Sequence, residues 1–222
     1  MNSKNIRQAT AYFFILFFAT AFLVNGCRQK SNKQKNVFNS GTIHVSIDES
    51  FKPVMEEQIR VFEKSYPAAR IIAEYKSEAD CFKDLYTDTS NRMIIVTRGL
   101  RDEEDEYFYD TLKYRPRWNN IANDAITLIV NSKSSDTLFT LERLKNQLSG
   151  KINRDQKIVF FFFFSTSTVR FAMVSILKGV IFDTSIVKAV NSSRDVIDYV
   201  AKTGNAIGFV CISWIGIPGD TA

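Results

Sequence analysis

Apolar and polar positions alternate along the chain with two different periods, and these periods predict a regular order of elements. Residues 42–47 place isoleucine and valine at every second position, which is typical of a strand with one buried face. Between residues 51 and 66 the apolar positions recur every three or four residues, which predicts a helix with Ser50 as its N-cap. Further strands are predicted at residues 71–75, 93–96, 125–130, 157–164 and 206–211, and further helices at 81–86, 102–112, 138–148, 168–177 and 196–201.

This alternation of strands and helices predicts an α/β fold with a parallel, doubly wound sheet. In such a sheet, ligands bind where the carboxyl ends of strands meet the N-termini of helices. The first half of the chain has three such corners, at residues 48–51, 77–78 and 97–98, and a fourth at residues 165–168 carries four hydroxyl groups. Free backbone N–H groups and hydroxyls at a helix start suit a small oxyanion, although Ser and Thr there are more often plain helix caps.

The N-terminus has the pattern of a secretory signal. Lys4 and Arg7 form a basic start, residues 11–24 are largely apolar, and Gly26 precedes Cys27. Fourteen helical residues span roughly 21 Å, short of the ~30 Å hydrocarbon core, so a permanent transmembrane helix is the weaker interpretation. The run resembles a bacterial lipobox, which predicts that Cys27 becomes the lipidated first residue. Ordinary secretion and an uncleaved anchor are the alternatives.

Charge and cysteine content argue against some kinds of partner and site. The polar stretch from residue 27 to 40 carries four bases and few apolar residues, so we expect a disordered tether lying near anionic lipid. The rest of the chain is close to neutral, which argues against a nucleic-acid partner. Cys81 and Cys211 are expected to be separate buried cysteines rather than a disulfide. Together with the single His44, they form no metal-ligand set, and we expect no cofactor.

Five stretches carry a family resemblance: residues 55–66, 93–100, 121–131, 138–152 and 206–214. The most telling is Asn123-Asp124-Ala125, followed by a strand, a helix and Gly150-Lys151. Over nearly all of residues 41–214 the chain resembles the phosphate-binding lipoproteins of Pst-type ABC transporters. The resemblance implies a two-lobed type II periplasmic-binding-protein fold without catalytic activity. It also implies capture of phosphate or a related oxyanion outside the bacterial cytoplasm, in the periplasm or at the cell surface, for delivery to an ABC permease.

The same resemblance predicts how the chain is organised. We expect a signal peptide at residues 1–26, a lipidated tether at 27–40, lobe I at 41–118 and lobe II at 119–205. Residues 206–222 should return to lobe I. Family members continue beyond this point, so we expect lobe I to be incomplete at its C-terminal side, as in a truncated chain.

Site residues follow from the resemblance, residue by residue. They are Ser50, the Phe51 backbone and Ser77 in lobe I, and Thr166, Ser167 and Thr168 in lobe II. Family members often place an acid after the third strand, where this chain has Thr97 and Arg98. Arg98 is expected to give a bidentate contact to the anion, with a salt bridge to an acid of the following helix, Asp102 or Glu103, as the alternative.

Asp48 or Glu49 is the candidate acceptor for a proton of the ligand, which would separate protonated phosphate from sulfate. Phe160 to Phe164 stand where polar loop residues are expected, and Arg170 is predicted to form a surface or inter-lobe ion pair rather than a ligand contact.

Two other function classes stay open. One is a surface or interaction lipoprotein that retains a degenerate binding-protein fold without transport. The other is a hydrolase using a hydroxyl of residues 165–168. It is the weaker of the two, since His44 lies in a predicted strand far from that loop in sequence and no G-x-S-x-G elbow is present.

Overall fold

The computed structural model describes residues 39–152, 157–161 and 166–216. The first half of this range builds a three-stranded parallel sheet of order β2-β1-β3, which we call lobe I together with its helices. Its strands are β1 (Ser40–Asp48), β2 (Ala68–Lys76) and β3 (Asn91–Ile95). Its helices are α1 (Lys52–Ser65), which follows a 3-10 turn at Glu49–Phe51, α2 (Glu78–Thr87) and α3 (Asp102–Leu112).

The second half builds a separate four-stranded sheet of order β4-β7-β5-β6, which we call lobe II together with its helices. Its strands are β4 (Ile126–Val130), β5 (Lys157–Phe161), β6 (Val187–Val190) and β7 (Ala206–Cys211). Its helices are α4 (Leu141–Leu148), α5 (Ser167–Phe171), which continues as a π-helical segment over Ala172–Leu177, and α6 (Ser193–Lys202). The predicted α/β class is confirmed, while β6 was not predicted from the sequence.

The two sheets agree with the two-lobed fold that the family resemblance implies. The strand pairing differs from the predicted all-parallel arrangement, because β4 runs antiparallel to β7, whereas β5 is parallel to both β6 and β7. We also expected residues 206–222 to return to lobe I. Instead β7 lies inside the sheet of lobe II, because all six of its residues are buried and both of its edges are paired.

The chain continues to contact lobe I after β7. The 3-10 turn Ile212–Trp214 packs against α1 and the turn Glu49–Phe51, and the Ser213 hydroxyl donates to the carbonyl oxygen of Ser50. Residues 217–222 lie outside the described residues. The end of β7 is therefore one of the points at which the two lobes are joined.

The main core lies in lobe II, where α4 and α5 pack on one face of the sheet. Leu148, Val169 and Phe209 are almost fully buried there, and α6 covers a second cluster around Val196 and Val210. Burying each such side chain contributes about 1.5–3 kcal/mol. This packing fixes the start of α5, which carries the predicted hydroxyls.

Cys81 and Cys211 are both buried and free, as predicted. No helix in the described ranges is both long enough and apolar enough to cross a membrane. Within the same ranges, no three His, Cys, Asp or Glu side chains form a group that could hold a metal ion.

Candidate functional site: hydroxyls and carboxylates between the two sheets

The three corners predicted in lobe I meet at one edge of its sheet. Because β1, β2 and β3 are parallel, their carboxyl ends lie side by side, and the chain leaves them at Asp48, Ser77 and Thr97. The fourth corner, at the start of α5, approaches this edge from lobe II. The residues at these four corners form the candidate site.

Asp48 ends β1 and is fully buried. Its Oδ1 accepts a hydrogen bond from the Ser50 backbone N–H at 3.0 Å, so Asp48 caps the 3-10 turn. Ser50, the predicted N-cap of α1, lies inside this turn instead. Its Oδ2 is buried without a hydrogen-bond partner among the described residues. Burial raises the pKa of this carboxyl from 3.8 to about 6, although the Ser50 N–H and the nearby side chains of Ser167 and Ser50 partly offset the rise.

Ser50 is buried, and its side chain reaches lobe II. The Ser50 Oγ lies 3.1 Å from the Ser167 Oγ, within hydrogen-bonding distance. The first corner and the hydroxyl-rich loop therefore face each other across the two lobes. Phe51, the next residue, is the N-cap of α1 and makes no side-chain capping bond.

Thr166, Ser167 and Thr168 form a compact, buried hydroxyl cluster in lobe II. Thr166 is the N-cap of α5, and its Oγ1 accepts from the Val169 N–H at 3.5 Å and lies 3.1 Å from the Thr168 Oγ1. Ser165 lies outside the described residues, as do Phe162 to Phe164. The Thr166 cap is a contact within α5, whereas Ser167 makes the contact to lobe I.

Ser77 uses its hydroxyl within its own helix. It caps α2 by accepting from the Asp80 N–H at 3.2 Å, and it donates to the Asp80 Oδ2 at 2.6 Å. This is the plain capping role that the sequence left open for the corner hydroxyls.

Arg98 is held inside lobe I. Its two terminal nitrogens donate to the two Glu104 oxygens at 2.6 and 2.9 Å, and its guanidinium stacks over the Phe82 ring at 3.8 Å. This pair, helped by Arg101, holds the pKa of Glu104 near 2. A salt bridge to α3 was the alternative for Arg98. It does form, but with Glu104 rather than Asp102 or Glu103.

Glu49 makes a cross-lobe contact of its own. Its carboxylate accepts from the Ser193 N–H at 3.1 Å and from the Ser193 hydroxyl at 2.6 Å, at the first residue of α6. Burial raises its pKa. Both Glu49 oxygens thus accept hydrogen bonds, whereas the Asp48 Oδ2 accepts none among the described residues.

Arg170 forms the inter-lobe ion pair that the sequence predicted. Its Nε and Nη2 donate to the Glu78 carboxylate at 2.7 and 3.2 Å, and Nη2 also donates to the Thr97 hydroxyl. The Thr97 N–H and hydroxyl donate to Glu78 as well. Two partners, Glu78 and Ser193, were not predicted from the sequence. Glu78 lies 92 positions from Arg170, and Ser193 lies 144 positions from Glu49, so only the fold brings each pair together.

Comparisons with known proteins agree with this architecture. A protein described as a phosphate ABC transporter substrate-binding protein from Clostridium perfringens, solved with bound phosphate, matches at 21% identity. The match has a TM-score of 0.67 and covers 79% of this chain and 72% of that one. An ABC-type phosphate transport receptor from Vibrio cholerae matches at 17% identity, with a TM-score of 0.52 and coverage of 78% and 72%.

The same fold also serves other roles. The OxyR2 regulatory domain from Vibrio vulnificus (E204G) matches at 12% identity, with a TM-score of 0.53 and coverage of 79% and 75%. A search of curated proteins finds no significant match. At these identities the solved structures establish the fold alone, which is the type II periplasmic-binding fold. A family model described as the PBP superfamily domain matches residues 33–218, and the chain therefore belongs to the PBP superfamily.

Proposed function

We propose that this protein captures inorganic phosphate, or a closely related oxyanion, between its two lobes and delivers it to an ABC permease. The observation that carries the proposal is the meeting of Ser50 and Ser167 across the lobes, beside the buried Asp48. The phosphate-binding proteins among its structural neighbours support the same ligand class. The work is recognition, and no bond is made or broken.

Asp48 is the group that would recognise a protonated anion. Near neutral pH, phosphate carries at least one proton and sulfate carries none, so only phosphate can donate a hydrogen bond to a carboxylate. The Asp48 Oδ2 has no partner among the described residues, whereas Ser193 engages both oxygens of Glu49. We therefore assign the acceptor role to Asp48 rather than to Glu49.

The hydroxyls and the backbone of the two corners would bind the remaining oxygens. The proposed donors are Ser50, the Phe51 backbone and the cluster Thr166, Ser167 and Thr168. The Ser50 and Ser167 oxygens are 3.1 Å apart, too close for an anion to lie between them. Binding therefore requires the lobes to separate slightly and close again around the anion.

Localisation and anchoring belong to the same proposal. Lipidation of Cys27 would hold the protein at a membrane outside the cytoplasm, with residues 27–40 as the tether. Residues 1–38 lie outside the described residues, so this part rests on the sequence alone. Two or three acyl chains suffice for firm attachment.

The test is a calorimetric titration of wild type and Asp48→Asn with phosphate and with sulfate at pH 7.5. Wild type should prefer phosphate. Asp48→Asn should lose roughly tenfold to hundredfold in phosphate affinity, because a buried charged acceptor is removed, and should gain in relative affinity for sulfate. Asp110→Asn, at an exposed position of α3, is the control and should change neither. Equal affinity of wild type for the two anions would contradict the assigned role of Asp48.

A second candidate function is a surface lipoprotein that kept the fold but lost transport. The internal pairing of three predicted ligand residues favours it: Ser77 binds Asp80, Thr97 binds Glu78, and Arg98 binds Glu104. Such a protein should show no heat of binding with phosphate, sulfate or arsenate. A measured phosphate affinity would exclude it.

A further inference from the structure

Glu78, at the second corner of lobe I, is a buried carboxylate to which the sequence assigned no role. It is the first residue of α2, and its side chain is only 5% exposed. Donors from both lobes surround it: the guanidinium of Arg170 from lobe II, and the N–H and hydroxyl of Thr97 from lobe I. An ion pair of this kind persists only when such additional hydrogen bonds satisfy the buried charge.

The groups around Glu78 are those that bind an oxyanion. A guanidinium presents two N–H groups to two oxygens at once, and a backbone N–H and a hydroxyl complete the set. Here the hydrogen bonds go to the two carboxylate oxygens of Glu78, which is part of the protein itself. Glu78 therefore takes the place that a bound oxyanion would have among these donors.

This donor set adjoins the proposed ligand site. Ser167 and Arg170 are three residues apart on α5 and so share one face of the helix, which lies against lobe I through Ser50 and Glu78. The negative charge of Glu78 also contributes to the raised pKa of Asp48. An anion bound beside Ser50 and Ser167 would lie near both the cation and the competing carboxylate.

We propose that Arg170 is the cation that binds the anionic ligand and that Glu78 is its built-in competitor, which the ligand displaces from Arg170 and Thr97. This inference rests on the proposed function and extends it, since it assigns to Arg170 the role that the sequence had suggested for Arg98. Glu78 sets the affinity, because each bound anion must replace a carboxylate already in place. It also disfavours anions too weakly charged to compete.

The first experiment compares phosphate titrations of wild type and Glu78→Gln. The Gln side chain keeps the shape but removes the charge, so phosphate affinity should rise roughly tenfold or more. Glu63→Gln is the matched control. Glu63 also accepts from a backbone N–H, that of Ile71 at 2.8 Å, and from an arginine, Arg70 at 2.9 Å, but these partners lie in the first half of β2, away from the carboxyl end that borders the site. Its substitution should leave the affinity unchanged.

The second experiment uses Arg170→Gln, which keeps the inference testable if Glu78→Gln does not fold. Phosphate affinity should fall at least tenfold, and the double variant Glu78→Gln/Arg170→Gln should show no gain over Arg170→Gln. Wild-type affinity in Arg170→Gln, or no gain in a folded Glu78→Gln, would overturn the inference and leave the proposed function intact. Binding by Glu78→Gln alone would support the inference and contradict phosphate capture by the native protein. Absence of binding in every variant would refute both.

Discussion

The burial of Asp48 predicts that replacing it should stabilise the protein. The pKa of this carboxyl is raised from 3.8 to about 6, because the charged form is buried. The folded state therefore binds a proton more tightly than the unfolded state, and stability falls as the pH rises through the interval from 3.8 to 6. Above this interval the cost of the buried charge is about 3 kcal/mol. Asp48→Asn removes the charge and keeps an oxygen that can accept from the Ser50 N–H.

The assay is urea unfolding of wild type and Asp48→Asn at pH 8 and at pH 4. The variant should be more stable by up to about 3 kcal/mol at pH 8 and by less than about 1 kcal/mol at pH 4, where the carboxyl of the folded wild type is already protonated. Comparing the two proteins at each pH removes the contribution of the other acids. Asp110→Asn, at an exposed position, should change stability by no more than about 0.5 kcal/mol at either pH. An Asp48→Asn variant that is less stable than wild type at pH 8, or one with the same gain in stability at pH 8 and pH 4, would refute the reasoning.

Three further predictions follow from other parts of the chain. Glu104→Gln should lower the free energy of unfolding by about 1–2 kcal/mol at pH 7, because Arg98 loses its carboxylate, and the loss should shrink as the pH falls from 4.5 towards 2. Gly150→Ala should cost about 1–3 kcal/mol in the same unfolding assay, since Gly150 has a φ of +72° and a Cβ there would lie 2.0 Å from the Asp183 Oδ2. Cys27→Ala should release the protein from the membrane fraction or leave it unprocessed, as measured by fractionation and by the mass of the mature chain.

Each of these predictions has its own contrary result. Unchanged acid denaturation in Glu104→Gln would mean that the pair with Arg98 contributes nothing. Gly204→Ala is the control for Gly150→Ala, because a Cβ at Gly204 meets no described atom within 4 Å. Equal costs at the two glycines would refute the steric argument. Unchanged fractionation and mass in Cys27→Ala would refute lipidation.

The hydrophobic periods were sufficient to predict most elements of the fold. The α3 and β7 bounds agree with the prediction, since acids start the helix and a continuous apolar run fills the strand. The four-residue strand β6 was missed, because only its first and last residues, Val187 and Val190, are partly buried, which is too weak a pattern to recognise. The division into two sheets, with β7 in the second, depends on long-range pairing that local periodicity does not contain.

The positions of the corner residues were predictable from the sequence, whereas the carboxylates that pair with Arg98 and Arg170 were not. The meeting of Ser50 and Ser167 followed from placing each at a strand-to-helix junction of a different lobe. Arg98 was expected to bind the anion; it instead forms the alternative salt bridge to α3, with Glu104, the residue after the two acids that the sequence suggested. Glu78 carries no local signature, because its role depends on Arg170 of the other lobe.

The most direct test of the account is a calorimetric phosphate titration of wild type, Ser50→Ala and Ser167→Ala. The central claim is that hydroxyls from both lobes bind one anion. Wild type should therefore bind one phosphate per chain, and each variant should bind roughly tenfold to hundredfold more weakly. No heat of binding in wild type, or unchanged affinity in both folded variants, would contradict the claim.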